Sequence, residues 1–271
     1  MTPLFVAADL HGHRDEFRDV LVEAGLSTRD GRWSGADARL WLLGDYVDRG
    51  PDGIGVVDDI RALAETALTE TAGGGVHCLV GNHEAQLLAA HHFGTVPVEG
   101  LDEPGGFRGG WARFGGHDGD LRRLTADHIA WMSALPAVAV VADHLLVHSD
   151  TARYLEFGST VAAVNAGVHA ALNSRDSADW VEFTDRMADR GAFRDEATPG
   201  PGKPATDPGA VDAMLTSLGG RTIVHGHSTL TKYFGYAPQD VHEPLRYAGG
   251  RVLAIDGGVY EGGRILLTRL R

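Results

Sequence analysis

Short apolar runs punctuate the chain, and each stops in polar chemistry. They read "LFVAAD", "RLWLLGD", "VHCLVGNH", "AVAVVADHLLVHS", "RTIVHGHS" and "RVLAIDGG". Their length and Val/Ile/Leu content predict buried strands. Between them the spacing turns helical. Phe17, Val20, Leu21 and Ala24 fall on one helix face, and Val56, Val57, Ile60, Leu63 and Ala64 form a second stripe. Both stripes read as core-packing faces. Strands alternating with helices predict an α/β architecture, in which binding groups gather on loops at the carboxyl ends of strands.

The polar strand ends carry a recurring chemistry. In order they bring Asp9 with His11, then Asp45, then Asn82 with His83, then His148, then His225 with His227. One such residue can be incidental; a series rich in metal-ligand types is hard to explain by packing. Asp9 and His11 stand two apart, which on an extended segment puts both side chains on one side. Asp45 can bridge two ions through its two oxygens. Asn82 offers an amide oxygen, and His148 and His227 offer imidazoles. A nitrogen and oxygen donor set without sulfur suits manganese, iron, zinc and similar ions. Two such ions can clamp a phosphate and turn a bridging water into hydroxide for in-line attack. Asp48 and Arg49 in "GDYVDRG" lie about one helical turn beyond Asp45. A guanidinium there can grip two phosphate oxygens. His83 can protonate the leaving oxygen, with Asp48 setting its tautomer.

Composition narrows the partners. With 271 residues and a hydrophobic share of 43%, the chain can bury a sizeable core. Its formal net charge of -13 argues against a nucleic-acid duplex as partner. The single cysteine, Cys78, excludes an intrachain disulfide and a cysteine zinc cluster, and reads as a small buried side chain. The opening "MTPLFVAADLHGH" lacks a basic leader, and no apolar run reaches membrane-span length, so a cytoplasmic protein with no membrane partner is expected. Two Gly/Pro-rich stretches, 93–110 and 197–210, are expected to form loops, either plain surface or lids over the site. No linker divides the chain, so residues 1–271 are expected to form one domain with loop insertions at those two places.

"DLHGH", "GDYVDRG", "GNHE", "VHS" and "GHS" occur in the order seen in the calcineurin-like metallophosphoesterases. The chain resembles their phosphoprotein phosphatase branch, of bacterial serine/threonine type. "WARFGGHD", "HIAWMSALP" and "IDGGVYEGG" also look like connecting segments of bacterial members, so the resemblance covers most of the chain. It implies a central β-sandwich of mixed sheets flanked by α-helices, with a dinuclear metal site at the strand ends. Asp9 and His11 would hold the first ion, Asp45 would bridge, and Asn82, His148 and His227 would hold the second. Arg49 and Asn82 would meet the substrate phosphate, joined by Arg186 or Arg190. His83 and Asp48 would form the general acid pair. The cofactors would be two divalent ions, with manganese the leading expectation and iron, zinc, nickel or cobalt the alternatives.

The departures from the family pattern are Ala8 in place of the usual glycine and "VHSD" in place of His-Ala-Gly or His-Gly-Gly. Ser149 and Asp150 therefore sit beside a ligand, and His225 shares strand parity with His227. The expected activity is metal-dependent hydrolysis of phosphate monoesters, with a protein serine/threonine phosphatase as the leading reading. Symmetrical dinucleoside tetraphosphate hydrolysis or a small phosphometabolite is the alternative. "GNHE" rather than "GNHD" favours the protein phosphatase branch. A catalytically silent binding protein is the third reading, opposed by the intact ligand set.

Overall fold

A computed structural model describes residues 2–70, 74–203, 205 and 207–270. Among these residues the strands form two mixed sheets. The first holds β1 (Leu4–Ala7), β2 (Arg39–Leu42), β3 (Gly75–Cys78) and β9 (Thr268–Leu270) in the order β3-β2-β1-β9. The second holds β4 (Val138–Val141), β5 (His144–Val147), β6 (Thr222–His225), β7 (Leu245–Tyr247) and β8 (Val252–Ala254) in the order β4-β5-β6-β8-β7. In each sheet three adjacent strands run parallel: β1, β2 and β3 in one, β5, β6 and β8 in the other.

The two sheets share an apolar layer. Leu4, Val6, Ala8, Leu43 and Leu79 from the first sheet and its strand ends meet Leu146, Val224, Leu253 and Ile255 from the second. The alternate positions Leu40, Leu42, Leu145, Val147 and Ile223 belong instead to the larger cluster beneath the helices. Both faces of the parallel strands are therefore covered. That is why these segments read as unbroken apolar runs.

Both helical stripes form helices, but Ala24 falls past the end of the first and is exposed, and Val20 and Ala64 are half-buried. Helix α1 (Arg14–Glu23) buries Phe17 and Leu21, and α2 (Gly53–Glu70) buries Val56, Val57, Ile60 and Leu63. The start of α2 is fixed by Asp52, whose Oδ1 accepts the Gly55 N–H at 2.9 Å. Helix α3 (Asn82–Phe93) starts on the end of β3, so Asn82 and His83 sit in its first turn.

Two local expectations are corrected, and two strands were not foreseen. "AVAVVADHLLVHS" is not one strand but the β4–β5 hairpin, turned at Ala142 with φ 52. The stretch 93–110 is loop only in part, because α4 (Gly106–Arg113) begins inside it. Strands β7 and β9 gave no apolar run, being three residues each at a sheet edge. The second Gly/Pro stretch precedes α9 (Ala210–Leu218), and its positions 204 and 206 lie outside the described residues. Helices α5 (Asp118–Arg123), α6 (Ala126–Ser133), α7 (Val161–Leu172) and α8 (Ser177–Ala188) complete the flanks.

Leu146 is fully buried between the sheets. Replacing it with alanine should lower unfolding stability by about 2–5 kcal/mol through lost burial and a cavity. The midpoint of urea unfolding checks this.

Candidate metal centre

The loops after β1, β2, β3, β5 and β6 converge at one edge of the sandwich. Backbone pairing continues past the strands: Asp9 N–H donates to Gly44 O (3.1 Å), His11 N–H to Asp45 O (2.9 Å) and Gly12 N–H to Tyr46 O (2.9 Å). The chain here is neither extended nor helical. Asp9, His11, Asp45, Asp48, Arg49 and His227 all have positive φ, between 41 and 68°. Strand alternation therefore does not align Asp9 with His11, and no helical turn carries Asp48 and Arg49. Left-handed residues do both, Asp9 and His11 with Leu10 between them, and Asp48 and Arg49 in succession.

Glu84, in the first turn of α3, holds the convergence together. Its carboxylate accepts the N–H groups of Asp45 (2.8 Å), Tyr46 (2.7 Å) and Gly81 (2.9 Å). Gly81 is required by closeness, since a Cβ there would lie 2.2 Å from Asp45 Oδ1. Asp45 Oδ1 in turn accepts the His83 N–H at 2.9 Å.

Two buried donor groups result, and Asp45 belongs to both. His11, Asp45 and His83 form one, and Asp45, His148 and His227 the other. His11 Nδ1 faces Val47 O at 3.0 Å and His148 Nδ1 faces Leu43 O at 2.9 Å. These carbonyls take the Nδ1 protons and leave each Nε2 as the ligating atom. His148 Nε2 then points at Asn82 Oδ1 (2.9 Å) and Asp45 Oδ1 (3.3 Å). Lone pairs converge there, an arrangement a cation satisfies. His227 Nε2 faces Ala188 O at 3.2 Å, leaving its Nδ1 free to ligate. Asp9 is within 3.9 Å of His11 Nε2 through Oδ1, while its Oδ2 accepts the His227 N–H at 2.9 Å.

The electrostatics ask for positive charge. Burial, then the charges of Asp256 and Asp45, push the Asp9 carboxyl well above its usual value. Burial opposes ionisation of Asp45 too, but His148 and His83 outweigh it and hold its carboxyl well below the usual range. Burial and the nearby His83 push His11 down, and burial with Arg190 pushes His227 down, which favours the neutral imidazoles that metals take. Asp256 Oδ2 is buried with no hydrogen-bond partner among the described residues, and burial raises that carboxyl to about 7. A crowd of buried carboxyl groups and imidazoles, without sulfur, fits divalent ions of the Mn, Fe or Zn kind.

The remaining candidates divide. His83 Nδ1 meets Asp48 Oδ2 at 2.8 Å, so the expected pair is in contact. Arg49 lies 3.2 Å from His11 Nε2 and stacks on the Tyr260 ring at 4.0 Å. Arg190 stands beside His227, whose carbonyl lies 3.5 Å from its Nη1, and stacks on Tyr233 at 4.4 Å. Neither arginine has a carboxylate within ion-pair distance among the described residues. Arg186 lies apart, bonded to Glu156 (2.7 Å) and Glu182 (2.9 Å). Arg190, Ser228 and Asp150 border a cavity of about 540 Å³ beside the donor groups.

Asp150 and Ser149 act on the loops around that cavity. Asp150 accepts Ser228 Oγ–H (2.7 Å) and the Gly191 N–H (2.8 Å), and Ser149 Oγ donates to Met187 O at 2.5 Å. His225 faces away from the donor groups, 2.8 Å from Tyr247 Oη. Cys78 is only half-buried by its surface, and packing around its thiol raises it to about 12. Tyr260, Trp111 and Asp256 were not singled out as site residues by sequence. The signal available for them was the "WARFGGHD" and "IDGGVYEGG" segments.

Residues 2–229 match the calcineurin-like phosphoesterase family. The chain is 32% identical over 100 residues to Shewanella-like protein phosphatase 2 of Arabidopsis thaliana, covering 37% of this chain and 25% of that protein. It is 28% identical over 179 residues to the symmetrical bis(5'-nucleosyl)-tetraphosphatase of Glaesserella parasuis serovar 5, covering 65% of this chain and 55% of that protein. The chain thus spans between a quarter and about half the length of these relatives. In structure, the cold-active protein-tyrosine phosphatase of a psychrophilic Shewanella aligns over 98% of this chain and 75% of its own, with TM-score 0.67 at 20% identity. A protein serine/threonine phosphatase from Saccharomyces cerevisiae aligns over 94% and 67%, with TM-score 0.56 at 16% identity. At such identities the structural likeness speaks for the fold. With the family pattern spanning most of its length over strand-end donor groups that share Asp45, the chain belongs to the calcineurin-like phosphoesterases.

Proposed function

We propose that the whole chain works as one domain that hydrolyses phosphate monoesters, with phosphoserine or phosphothreonine proteins as the substrate. The observation that carries the chemistry is Asp45, shared by two buried donor groups whose His11 and His227 lie beside Arg49 and Arg190, neither of which has a carboxylate within ion-pair distance among the described residues. In this reading Asp9 completes the first group, and Asn82 completes the second. Two divalent ions held there would polarise the phosphoryl oxygens and supply a nucleophile at neutral pH. Arg49 and Arg190 orient the phosphate from opposite sides. His83 passes the proton on its Nε2 to the departing oxygen, while Asp48 keeps the other ring nitrogen protonated. The substrate assignment draws support from the Glu84-bearing "GNHE" and from the likeness to Shewanella-like protein phosphatase 2. Symmetrical dinucleoside tetraphosphate cleavage is the second reading, favoured by the longer match to a symmetrical tetraphosphatase.

Four outcomes are expected. Purified protein should hydrolyse an aryl phosphate with manganese present and lose that activity to a chelator. Parallel rates on a phosphoserine peptide and a dinucleoside tetraphosphate then separate the two readings, the peptide being turned over faster. His83→Asn should lower kcat by about 10²–10⁴ with bound metal unchanged by elemental analysis. Loss of metal would instead make His83 a ligand, as its grouping with His11 and Asp45 allows. Arg190→Ala should cost about 1.5–3 kcal/mol of kcat/KM, tenfold to a hundredfold, whereas Arg186→Ala should leave kinetics near wild type.

A further inference from the structure

The reading above leaves one contact of the His83–Asp48 pair unused. Asp48 is fully buried and has two carboxylate oxygens. Oδ2 faces His83. Oδ1 accepts a hydrogen bond at 2.8 Å from the indole Nε1 of Trp111, a residue of α4 and not of any strand-end loop. Trp111 is itself almost fully buried. Its ring is backed by Gly116, where a Cβ would come within 2.2 Å of two indole atoms. One residue earlier, Gly115 O accepts the Arg49 N–H at 2.8 Å. The segment from Trp111 to Gly116 therefore reaches both Asp48 and the backbone of its neighbour Arg49.

We propose that Trp111 is a positioning residue for proton transfer to the leaving group. A carboxylate bonded on one side can turn about its last torsion. A second donor on the other oxygen fixes its plane. With Asp48 fixed, the Nδ1–H of His83 is fixed, and Nε2 is aimed across the donor groups, 3.9 Å from Asp45 Oδ2. An indole suits the task because it can only donate and carries no charge. It orients Asp48 and leaves the carboxylate free to stabilise the ring. The step assisted is balanced. As the phosphorus–oxygen bond of the ester breaks, its electron pair stays on the departing oxygen and the Nε2 proton moves to it. The water that supplies the new phosphorus–oxygen bond also supplies the proton that returns to His83. This inference rests on the phosphatase reading.

The test compares Trp111→Phe with wild type on phenyl phosphate and 4-nitrophenyl phosphate. Phenolate is a poor leaving group and needs the proton; nitrophenolate hardly does. The expected result is a fall in kcat of about 10–100-fold on phenyl phosphate, the usual reach of an outer-shell partner. On the nitrophenyl ester the fall should be under about threefold. KM and bound metal should stay near wild type, while thermal unfolding shifts downward because an Asp48 oxygen is left buried without its donor. An equal fall on both esters, or none on either, overturns the proposal. Should Trp111→Phe not fold, nitrogen-15 labelling of the tryptophans decides it. The Trp111 Nε1–H signal should exchange slowly in the otherwise unaltered protein and move with faster exchange in Asp48→Ala; an unmoved signal overturns the proposal. A wild type inactive on both esters would overturn the phosphatase reading, while the indole signal still reports whether Trp111 holds Asp48.

Discussion

Everything at the sandwich edge depends on one buried carboxylate. Glu84 takes hydrogen bonds from four backbone N–H groups, three after β2 (Asp45, Tyr46 and, at greater distance, Val47) and one after β3. Two loops that no ladder joins are thereby bolted side by side. Burial and the charge of Asp45 raise the Glu84 carboxyl to about 7 against these bonds, and losing the acceptor would strand several buried donors. The same arrangement places Asp45 where its Oδ1 can hold the His83 N–H. Asp45, common to the two donor groups, and His83 are thus positioned by a residue that belongs to neither group. An aspartate would fall one methylene short of this reach, so the last letter of "GNHE" is a statement about geometry.

Around that bolt, charge is distributed unevenly. Buried carboxylates from Asp9, Asp45 and Asp256 crowd together, and histidines that burial keeps neutral face them. Two arginines stand at the border with aromatic rings under them instead of carboxylates. A chain of net charge -13 thus concentrates its attraction for phosphate in one small region and repels polyanions elsewhere.

Much of this was legible in the sequence, and the parts that were not share a cause. The unbroken apolar runs announced strands covered on both faces, and their polar endings announced where ligands would gather. The motifs named Asp9, His11, Asp45, Asn82, His148 and His227, which the fold brings to one edge. Periodicity could not see the left-handed loops, because alternation and helical spacing describe regular backbone only. Edge strands β7 and β9 were too short to carry a pattern. Arg186 and Arg190 differ in tertiary neighbours, which sequence does not carry: one is taken by Glu156 and Glu182, the other faces His227. Trp111 reads as any core aromatic until Asp48, 63 positions earlier, is found beneath its N–H.

The run of positive φ values at Asp9, His11, Asp45, Asp48, Arg49 and His227 has a bearing on engineering. Strained backbone of this kind costs on the order of 1 kcal/mol or more per residue. The ordinary route to a hardier protein, glycine at left-handed positions, would relax these loops and delete the side chains that define them. Stability and turnover therefore compete residue by residue along this edge. Thermostable variants of the chain are to be sought in the apolar layer between the sheets or on the outer helices, with the strand-end loops left as they are.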